Sequence, residues 1–151
     1  MSSTHFQLDP GVYMIYNRVL SPFGQRLAMT FNGKDQPTTV TPLDPSSPKQ
    51  QWVVENYGYD EERATSLQHV RPQTAQELES GWSDTIFATE RKNQVWGITK
   101  DGSAYTIRDG GKTVTWGIQT AAQGTSVVPL KDATGEKERW IFHKVNTPLP
   151  H

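Results

Sequence analysis

The sequence predicts an all-β fold built from three repeats of four short strands. A tryptophan with a polar residue two positions before it and an apolar residue two after it occurs at Trp52, Trp96 and Trp140. Successive tryptophans are 44 residues apart (96 − 52 and 140 − 96), and a fixed period of this size is typical of repeat architectures. The 151 residues are only 34% hydrophobic and include 12 glycines and 10 prolines. Such a composition indicates short strands joined by many turns.

Shorter segments support the repeat and place its strands. Residues 38–43 (TTVTPL) return as 125–130 (TSVVPL), and residues 24–30 parallel 111–116. Between turn signals, β-branched and aromatic residues alternate with period two, as strands prefer. The first repeat predicts strands at about 11–19, 25–31, 37–43 and 50–56, and the third at about 103–108, 112–119, 125–130 and 138–145. The middle repeat is the least regular, with strands at 67–70, around Trp82, at 85–89 and at 94–99, and with a helical turn at 74–80.

Three repeats of this length can form either a β-trefoil or a small propeller. Propellers usually need four to eight blades, so three repeats favour the trefoil, a six-stranded barrel capped by three hairpins. We therefore expect one β-trefoil domain over residues 1–151, with repeats at about 11–56, 57–102 and 103–145. The three periodic tryptophans are expected to form a shared core layer, because an indole buries a large area.

Charge and composition exclude several classes of function. The formal net charge is −1, from 15 basic and 16 acidic residues that are well interspersed, so no nucleic-acid partner is expected. The chain has no cysteine, which excludes disulfides and thiolate chemistry. Residues 1–10 lack the apolar run of a signal peptide and no segment is long enough to cross a bilayer. A cytoplasmic protein without a membrane partner is the expectation.

Few residues in the sequence indicate catalytic chemistry. The four histidines form no ligand pattern, so neither a metal site nor a cofactor is expected. Gly111-Lys112-Thr113 matches the end of a phosphate loop, but Thr106 stands where that motif needs its first glycine and strands flank the segment. Asp109-Gly110-Gly111 is better explained as a hairpin turn. The protein is therefore predicted not to be an enzyme.

In a stiff barrel, binding is expected in the loops between strands. Three loops are candidates: residues 31–36 between the second and third strands, residues 57–63 after the first repeat, and residues 131–137 between the last two strands. The middle candidate carries the acidic run at 60–62, beside Arg63, and two tyrosines.

One stretch of the chain resembles a known family. Residues 11–22 (GVYMIYNRVLSP), together with residues 24–31, 40–44 and Gln51-Trp52, resemble the mycospins, which are β-trefoil serine protease inhibitors of mushrooms. The similarity is densest over residues 11–54 and returns over about 104–145. The resemblance implies a non-enzymatic, reversible inhibitor that blocks trypsin-like serine proteases through one exposed, substrate-like loop, and a monomer is expected.

The resemblance also implies which residues contact the protease. Asn32 matches the reactive asparagine that one member carries between its second and third strands, and Gly33, Lys34 and Asp35 continue that loop. Lys34 would suit the carboxylate in the specificity pocket of a trypsin-like enzyme. Asn-Gly is equally a common hairpin turn, because both residues tolerate a positive φ.

Another member uses a lysine between strands eleven and twelve, where this chain offers Lys131 and Lys137. Both could equally be ordinary surface lysines. A related possibility is inhibition of cysteine proteases, which would also use an exposed loop. A panel of serine and cysteine proteases would separate these interpretations.

The alternative function is a ricin-type lectin that binds carbohydrate. Such sites pair an aspartate with an aromatic platform inside each repeat. Asp44 is present in the first repeat, but Lys131 occupies the equivalent position in the third. An aromatic platform such as Tyr57 or Tyr59 occurs once only. If glycans are partners, the sequence therefore predicts a single site.

Overall fold

The computed structural model describes residues 6–62, 64–131 and 135–145. The described residues form twelve strands, which occur as three sets of four. Their bounds are β1 (Gly11–Asn17), β2 (Leu27–Thr30), β3 (Thr39–Pro42), β4 (Trp52–Asp60), β5 (Thr65–Pro72), β6 (Leu78–Trp82), β7 (Ile86–Glu90), β8 (Trp96–Asp101), β9 (Ala104–Asp109), β10 (Thr115–Gly117), β11 (Val128–Leu130) and β12 (Trp140–Lys144).

Six of the strands close a barrel. Strand β1 pairs with β4, β4 with β5, β5 with β8, β8 with β9, β9 with β12, and β12 returns to β1, always antiparallel. The other six strands form three hairpins, β2–β3, β6–β7 and β10–β11. This is a β-trefoil, and the predicted fold class is confirmed.

The periodic tryptophans form the centre of the core. Trp52, Trp96 and Trp140 are all fully buried, as expected of the inward-facing position at the start of a barrel strand. Their indole Nε1–H groups donate to three backbone carbonyls, each at 3.0 Å, those of Met29, Ser80 and Trp116. A buried indole whose N–H group is hydrogen-bonded stabilises the fold, and each repeat contains one such tryptophan.

The middle repeat departs most from the prediction. The helical turn expected at 74–80 is wrong, because Leu78–Trp82 is strand β6 and pairs along its whole length with β7. Residues 57–60 are not a loop either. Strand β4 continues through them to Asp60, paired with β5, after a register shift between Asn56 and Gly58. Arg63 lies outside the described residues.

The third repeat is closer to expectation, but its second strand is shorter than predicted. Strand β10 begins only at Thr115 because Asp109 holds the two residues before it in a turn. The Asp109 Oδ1 atom accepts hydrogen bonds from the amides of Thr113 (2.6 Å) and Val114 (2.9 Å), and Oδ2 accepts from the Thr113 hydroxyl (2.7 Å). The turn predicted at 109–111 is confirmed.

Helical structure in the described ranges is limited to short 3₁₀ turns, Pro48–Gln50 and Glu136–Glu138. Within those ranges no helix has the length and apolar character needed to pass through a membrane. The described side chains also include no cluster of three or more histidines, aspartates or glutamates placed to hold a metal ion.

Candidate functional site

The loop that follows β2 forms a compact turn. Asn32 uses its side-chain amide inside the loop, where Nδ2 donates to the Pro37 carbonyl at 3.0 Å and to the Thr39 hydroxyl at 2.8 Å. The Gln36 amide donates back to the Gly33 carbonyl at 3.2 Å. Gly33 has a φ of 110° and Asp35 a φ of 64°, so the backbone curls here instead of running extended.

The same loop is braced against the second repeat. The Asp35 amide donates to the Ala88 carbonyl at 2.7 Å. The Lys34 Nζ atom lies 3.1 Å from Glu90 Oε1, an ion pair between two exposed side chains. The hydrogen bond to Glu90 raises the pKa of Lys34 above its ordinary value. The predicted reactive residues are thus together in one ordered turn, with Lys34 engaged by its own chain.

The second predicted loop is only partly described. Lys131 is exposed just after β11, and residues 132–134 lie outside the described residues. Lys137 belongs to the 3₁₀ turn Glu136–Glu138, and its Nζ donates to the Gln119 carbonyl at 3.1 Å. The two lysines remain a prediction as protease contacts.

Asp44, the candidate sugar ligand of the first repeat, acts within a turn. Its Oδ1 atom accepts hydrogen bonds from the Ser46 hydroxyl (2.7 Å) and the Ser46 amide (3.0 Å). These two bonds lower the pKa of the Asp44 carboxyl. Its backbone amide is in turn bound by the buried Gln50 side chain at 2.8 Å. The carboxylate therefore organises the chain before the 3₁₀ turn Pro48–Gln50.

The exposed aromatic side chains of the second repeat frame a different site. Tyr57 is 53% exposed and Trp82 is 37% exposed. Two neighbouring pockets lie along the loop of residues 91–95 and share Glu79. One, of about 70 Å³, is lined by Glu55, His69, Arg71, Leu78, Glu79, Arg91 and Asn93. The other, of about 180 Å³, is lined by Glu79, Gly81, Trp82, Phe87, Thr89, Lys92 and Gln94. We call these two pockets, with Tyr57 and Trp82, the aromatic groove.

Hydrogen bonds hold the loop that divides the aromatic groove. The Gln94 amide donates to both carboxylate oxygens of the buried Glu79, at 3.1 Å each. The Gln94 carbonyl lies 3.0 Å from His69 Nδ1. Asn93 has a φ of 64° and donates from Nδ2 to the Tyr57 hydroxyl at 3.1 Å. Because the loop is tied on three sides, its polar groups are fixed before any ligand arrives.

Tyr57 is itself held in place. Its ring meets the His69 ring edge to face, with 5.2 Å between centroids, and its hydroxyl is fixed by Asn93. Beside it, Arg71 and Glu55 form an ion pair at 3.2 Å. A fixed aromatic ring surrounded by hydrogen-bonding groups can bind a ligand that has both an apolar face and hydroxyl groups.

The sequence indicated Tyr57 as a platform, but not Trp82, Glu79 or Asn93. The sequence does contain one feature that points to Trp82. Trp82 and Trp116 are the two tryptophans that fall outside the 44-residue period. Trp116 is fully buried, whereas Trp82 is exposed, so departure from the period selects two tryptophans and only the structure separates them.

Known structures share the fold of this chain at low sequence identity. The chain is similar to a mosquitocidal holotoxin (15% identity, TM-score 0.75), where the match covers 92% of this chain but only 18% of the toxin. It is also similar to the Rhizoctonia solani agglutinin (11% identity, TM-score 0.70, 92% and 98% of the two chains). A third is the Macrolepiota procera ricin B-like lectin, solved in complex with lactose (17% identity, TM-score 0.67, 91% and 99%).

These comparisons support the β-trefoil that the mycospin resemblance implied, but they do not support protease inhibition. No curated protein matches the sequence. The family profile described as CCL2 lectin-like matches residues 11–140. Because this match spans most of the sequence, the chain belongs to the CCL2-like lectin family.

Proposed function

We propose that the protein is a lectin that binds a glycan at the aromatic groove. The observation that carries the proposal is the exposure of Tyr57 and Trp82 on either side of a loop held by hydrogen bonds. Membership of a lectin-like family supports it. So does the fold shared with lectins, one of which was solved with lactose.

The chemistry of the groove suits a sugar. A pyranose ring has apolar C–H faces and a rim of hydroxyl groups, so it needs aromatic surface and hydrogen-bonding groups side by side. Trp82 supplies the aromatic surface in the larger pocket, where Thr89 and Gln94 add polar groups. Asn93 and Arg91 supply donors in the smaller pocket. At about 180 Å³ and 70 Å³, the two pockets are small, which favours one or two sugar units.

The groove is expected to occur once in the chain. Moving one 44-residue period from Trp82 leads to Thr38 in one direction and Ser126 in the other. Neither residue can replace an indole as a stacking surface. Thr38 is moreover buried, and its carbonyl accepts a hydrogen bond from Val127 at 2.8 Å. We therefore expect a monovalent lectin, with weak affinity for isolated sugars and no cross-linking of cells by a single chain.

A glycan array with wild-type protein and three variants tests the proposal. Trp82→Ala and Tyr57→Ala remove the two aromatic surfaces. We expect each to weaken binding by about tenfold or more, the usual loss for a central aromatic contact. Phe23→Ala is the matched control, because Phe23 is 88% exposed and belongs to the loop between β1 and β2. It should bind like the wild type.

Two outcomes would count against the proposal. One is an array on which the wild-type protein binds no glycan. The other is binding that survives both groove substitutions unchanged, which would place the sugar elsewhere on the barrel. Titration of the best array ligand into labelled protein, followed by NMR, then provides the affinities and identifies the amides that shift.

A further inference from the structure

A third pocket lies on the outer wall of the barrel, apart from the aromatic groove. It has a volume of about 130 Å³ and is lined by residues of β5, β8 and β9 and of the turn after β9: Thr65, Gly97, Thr99, Thr106, Arg108 and Lys112. None of these residues lines the aromatic groove. Two cationic residues and three threonines therefore line one concavity, and the described residues that line it include no acidic side chain.

The concavity exists because position 97 has no side chain. On β8 and β9, Gly97 pairs with Arg108 and Thr99 with Thr106, so these four residues alternate with the buried Ile98 and Ile107 and face outward. A Cβ atom at position 97 would lie 2.8 Å from the Thr65 Cγ2 atom. Any other residue there would fill the pocket or push Thr65 aside.

Arg108 is held in the pocket with unused donor capacity. Its Nη2 donates to the Lys112 carbonyl at 3.2 Å. Its buried Nε–H finds no acceptor anywhere in the described parts of the chain. A buried donor without a partner is costly, and a guanidinium pairs best with an oxyanion that can accept two of its N–H groups.

A turn holds the backbone of Lys112 close to Arg108 in a conformation that lysine rarely adopts. Its φ is 58°, in the left-handed region that costs a non-glycine residue energy. Two sets of hydrogen bonds hold this turn. The Lys112 amide donates to the Asp109 carbonyl at 2.9 Å, and the Thr113 and Val114 amides donate to the Asp109 carboxylate. Glycine would fit this backbone better than lysine, so the side chain at this position invites a functional explanation.

We propose that this pocket binds a tetrahedral oxyanion, a phosphate or sulfate group. Its volume is about four times the ~30 Å³ that one water molecule occupies in the liquid, which leaves room for a group with four oxygens. Arg108 and Lys112 supply the positive charge, and the threonine hydroxyls can donate to the remaining oxygens. The acidic turn before Thr65 does not line the pocket, and Asp60 there accepts the Glu62 amide at 3.1 Å.

The same chemistry could be presented by a dissolved ion or by a sulfate ester on a sugar. NMR titrations at low ionic strength can separate the two, with inorganic sulfate, inorganic phosphate, galactose 6-sulfate and unmodified galactose as probes. We expect saturable shifts of the amides at the outer-wall pocket with the three anionic probes and none there with galactose. If the sulfated sugar binds more tightly than the inorganic ions, the ester is the preferred source; equal affinities identify the ion itself.

Two variants distinguish binding from stability. Arg108→Gln should weaken anion binding by about tenfold or more, the usual effect of losing a charged hydrogen-bonding partner. Lys112→Gly should weaken binding several-fold and should not lower the melting temperature, because glycine relieves the strained φ. Lys49→Gln, which removes an exposed lysine from the 3₁₀ turn Pro48–Gln50, is the control and should bind anions like the wild type.

The proposal is overturned if no anionic probe shifts these amides, or if Arg108→Gln and Lys112→Gly bind the probes as tightly as the wild type. Galactose binding at the aromatic groove is a separate result. A wild-type protein that binds anions but no glycan on the array would refute the lectin proposal alone, and one that binds a glycan at the aromatic groove but no anionic probe at the outer-wall pocket would refute the anion site alone.

Discussion

Replacing Asp109 by alanine is the sharpest test of how the third repeat is held together. The carboxylate accepts three hydrogen bonds, from the Thr113 amide, the Thr113 hydroxyl and the Val114 amide. Val114 is buried while Thr113 is exposed. In Asp109→Ala, water can satisfy the two Thr113 groups, but the Val114 amide loses its acceptor away from solvent.

The expected cost can be estimated from these three bonds. An unsatisfied buried amide costs about 1–3 kcal/mol, and each solvent-accessible bond contributes about 0.5–1 kcal/mol, so Asp109→Ala should lose about 3 kcal/mol of unfolding free energy. For a chain of this size that corresponds to about 6–12 °C in melting temperature. Urea unfolding followed by tryptophan fluorescence, together with a thermal scan, measures both quantities.

Asp109→Asn is the matched control. Its carbonyl oxygen can replace Oδ1 and keep both amide bonds, while its NH₂ group can donate to the Thr113 hydroxyl. The loss should then be about 1 kcal/mol, since mainly the charge is removed. An alanine variant within 1 kcal/mol of the wild type, or an asparagine variant as damaged as the alanine variant, would refute this account.

Comparing the wild type with Asp109→Asn also predicts how the unfolding free energy depends on pH. Burial raises the pKa of the Asp109 carboxyl, but its hydrogen bonds from Val114 and Thr113 outweigh burial and hold the pKa below the ordinary 3.8. A carboxyl whose pKa is lowered by folding stabilises the protein above the unfolded pKa, and this contribution is lost as the pH falls through the folded pKa. The stability difference between wild type and Asp109→Asn should therefore narrow from pH 7 to pH 3, as urea unfolding at both values would show.

Three further predictions follow from other contacts. Trp140→Phe should lose about 1 kcal/mol more unfolding free energy than Trp116→Phe. The Trp140 indole donates a buried hydrogen bond, whereas the Trp116 Nε1 atom has no acceptor in the described chain. Equal losses of the two variants in urea unfolding would contradict this. Gly117→Ala should cost about 1–3 kcal/mol, since its Cβ would lie 2.7 Å from a leucine side chain, whereas Gly58→Ala meets open space and should be neutral. Lys34→Ala and the wild type should leave trypsin with the same rate, because Lys34 sits in a curled turn; inhibition by the wild type that Lys34→Ala abolishes would restore the protease-inhibitor interpretation.

The fold could be predicted from the sequence because its cause is periodic. Trp52, Trp96 and Trp140 each fill the same core position, so their spacing reports directly on the threefold barrel. The strands of the first and third repeats could be predicted because β-branched and aromatic residues alternate there with period two between turn residues. Asp109 showed a limit of this reasoning, since side-chain bonds to the backbone shorten β10 in a way that hydrophobic patterns do not encode.

The site was harder to predict because it belongs to the repeat that breaks the period. Tyr57 was assigned to a loop, but cross-strand pairing extends β4 beneath it. Glu79 accepts the Gln94 amide from 15 residues away and Asn93 donates to the Tyr57 hydroxyl from 36 residues away, so no local pattern connects these groups. Resemblance to a protease inhibitor over residues 11–54 reflected shared scaffold residues, while the aromatic groove is formed by the poorly matching middle third.

The closure of the barrel also sets an order on folding. Tyr16 of β1 pairs with Ile141 of β12, 125 positions further along the chain (141 − 16), so this pairing carries the largest loop-closure entropy cost among the barrel strands. During synthesis one edge of β1 stays unpaired until β12 has left the ribosome. Strand edges of this kind are where newly made chains associate with one another. The pairing that closes the barrel is thus the one between the barrel strands farthest apart in the sequence.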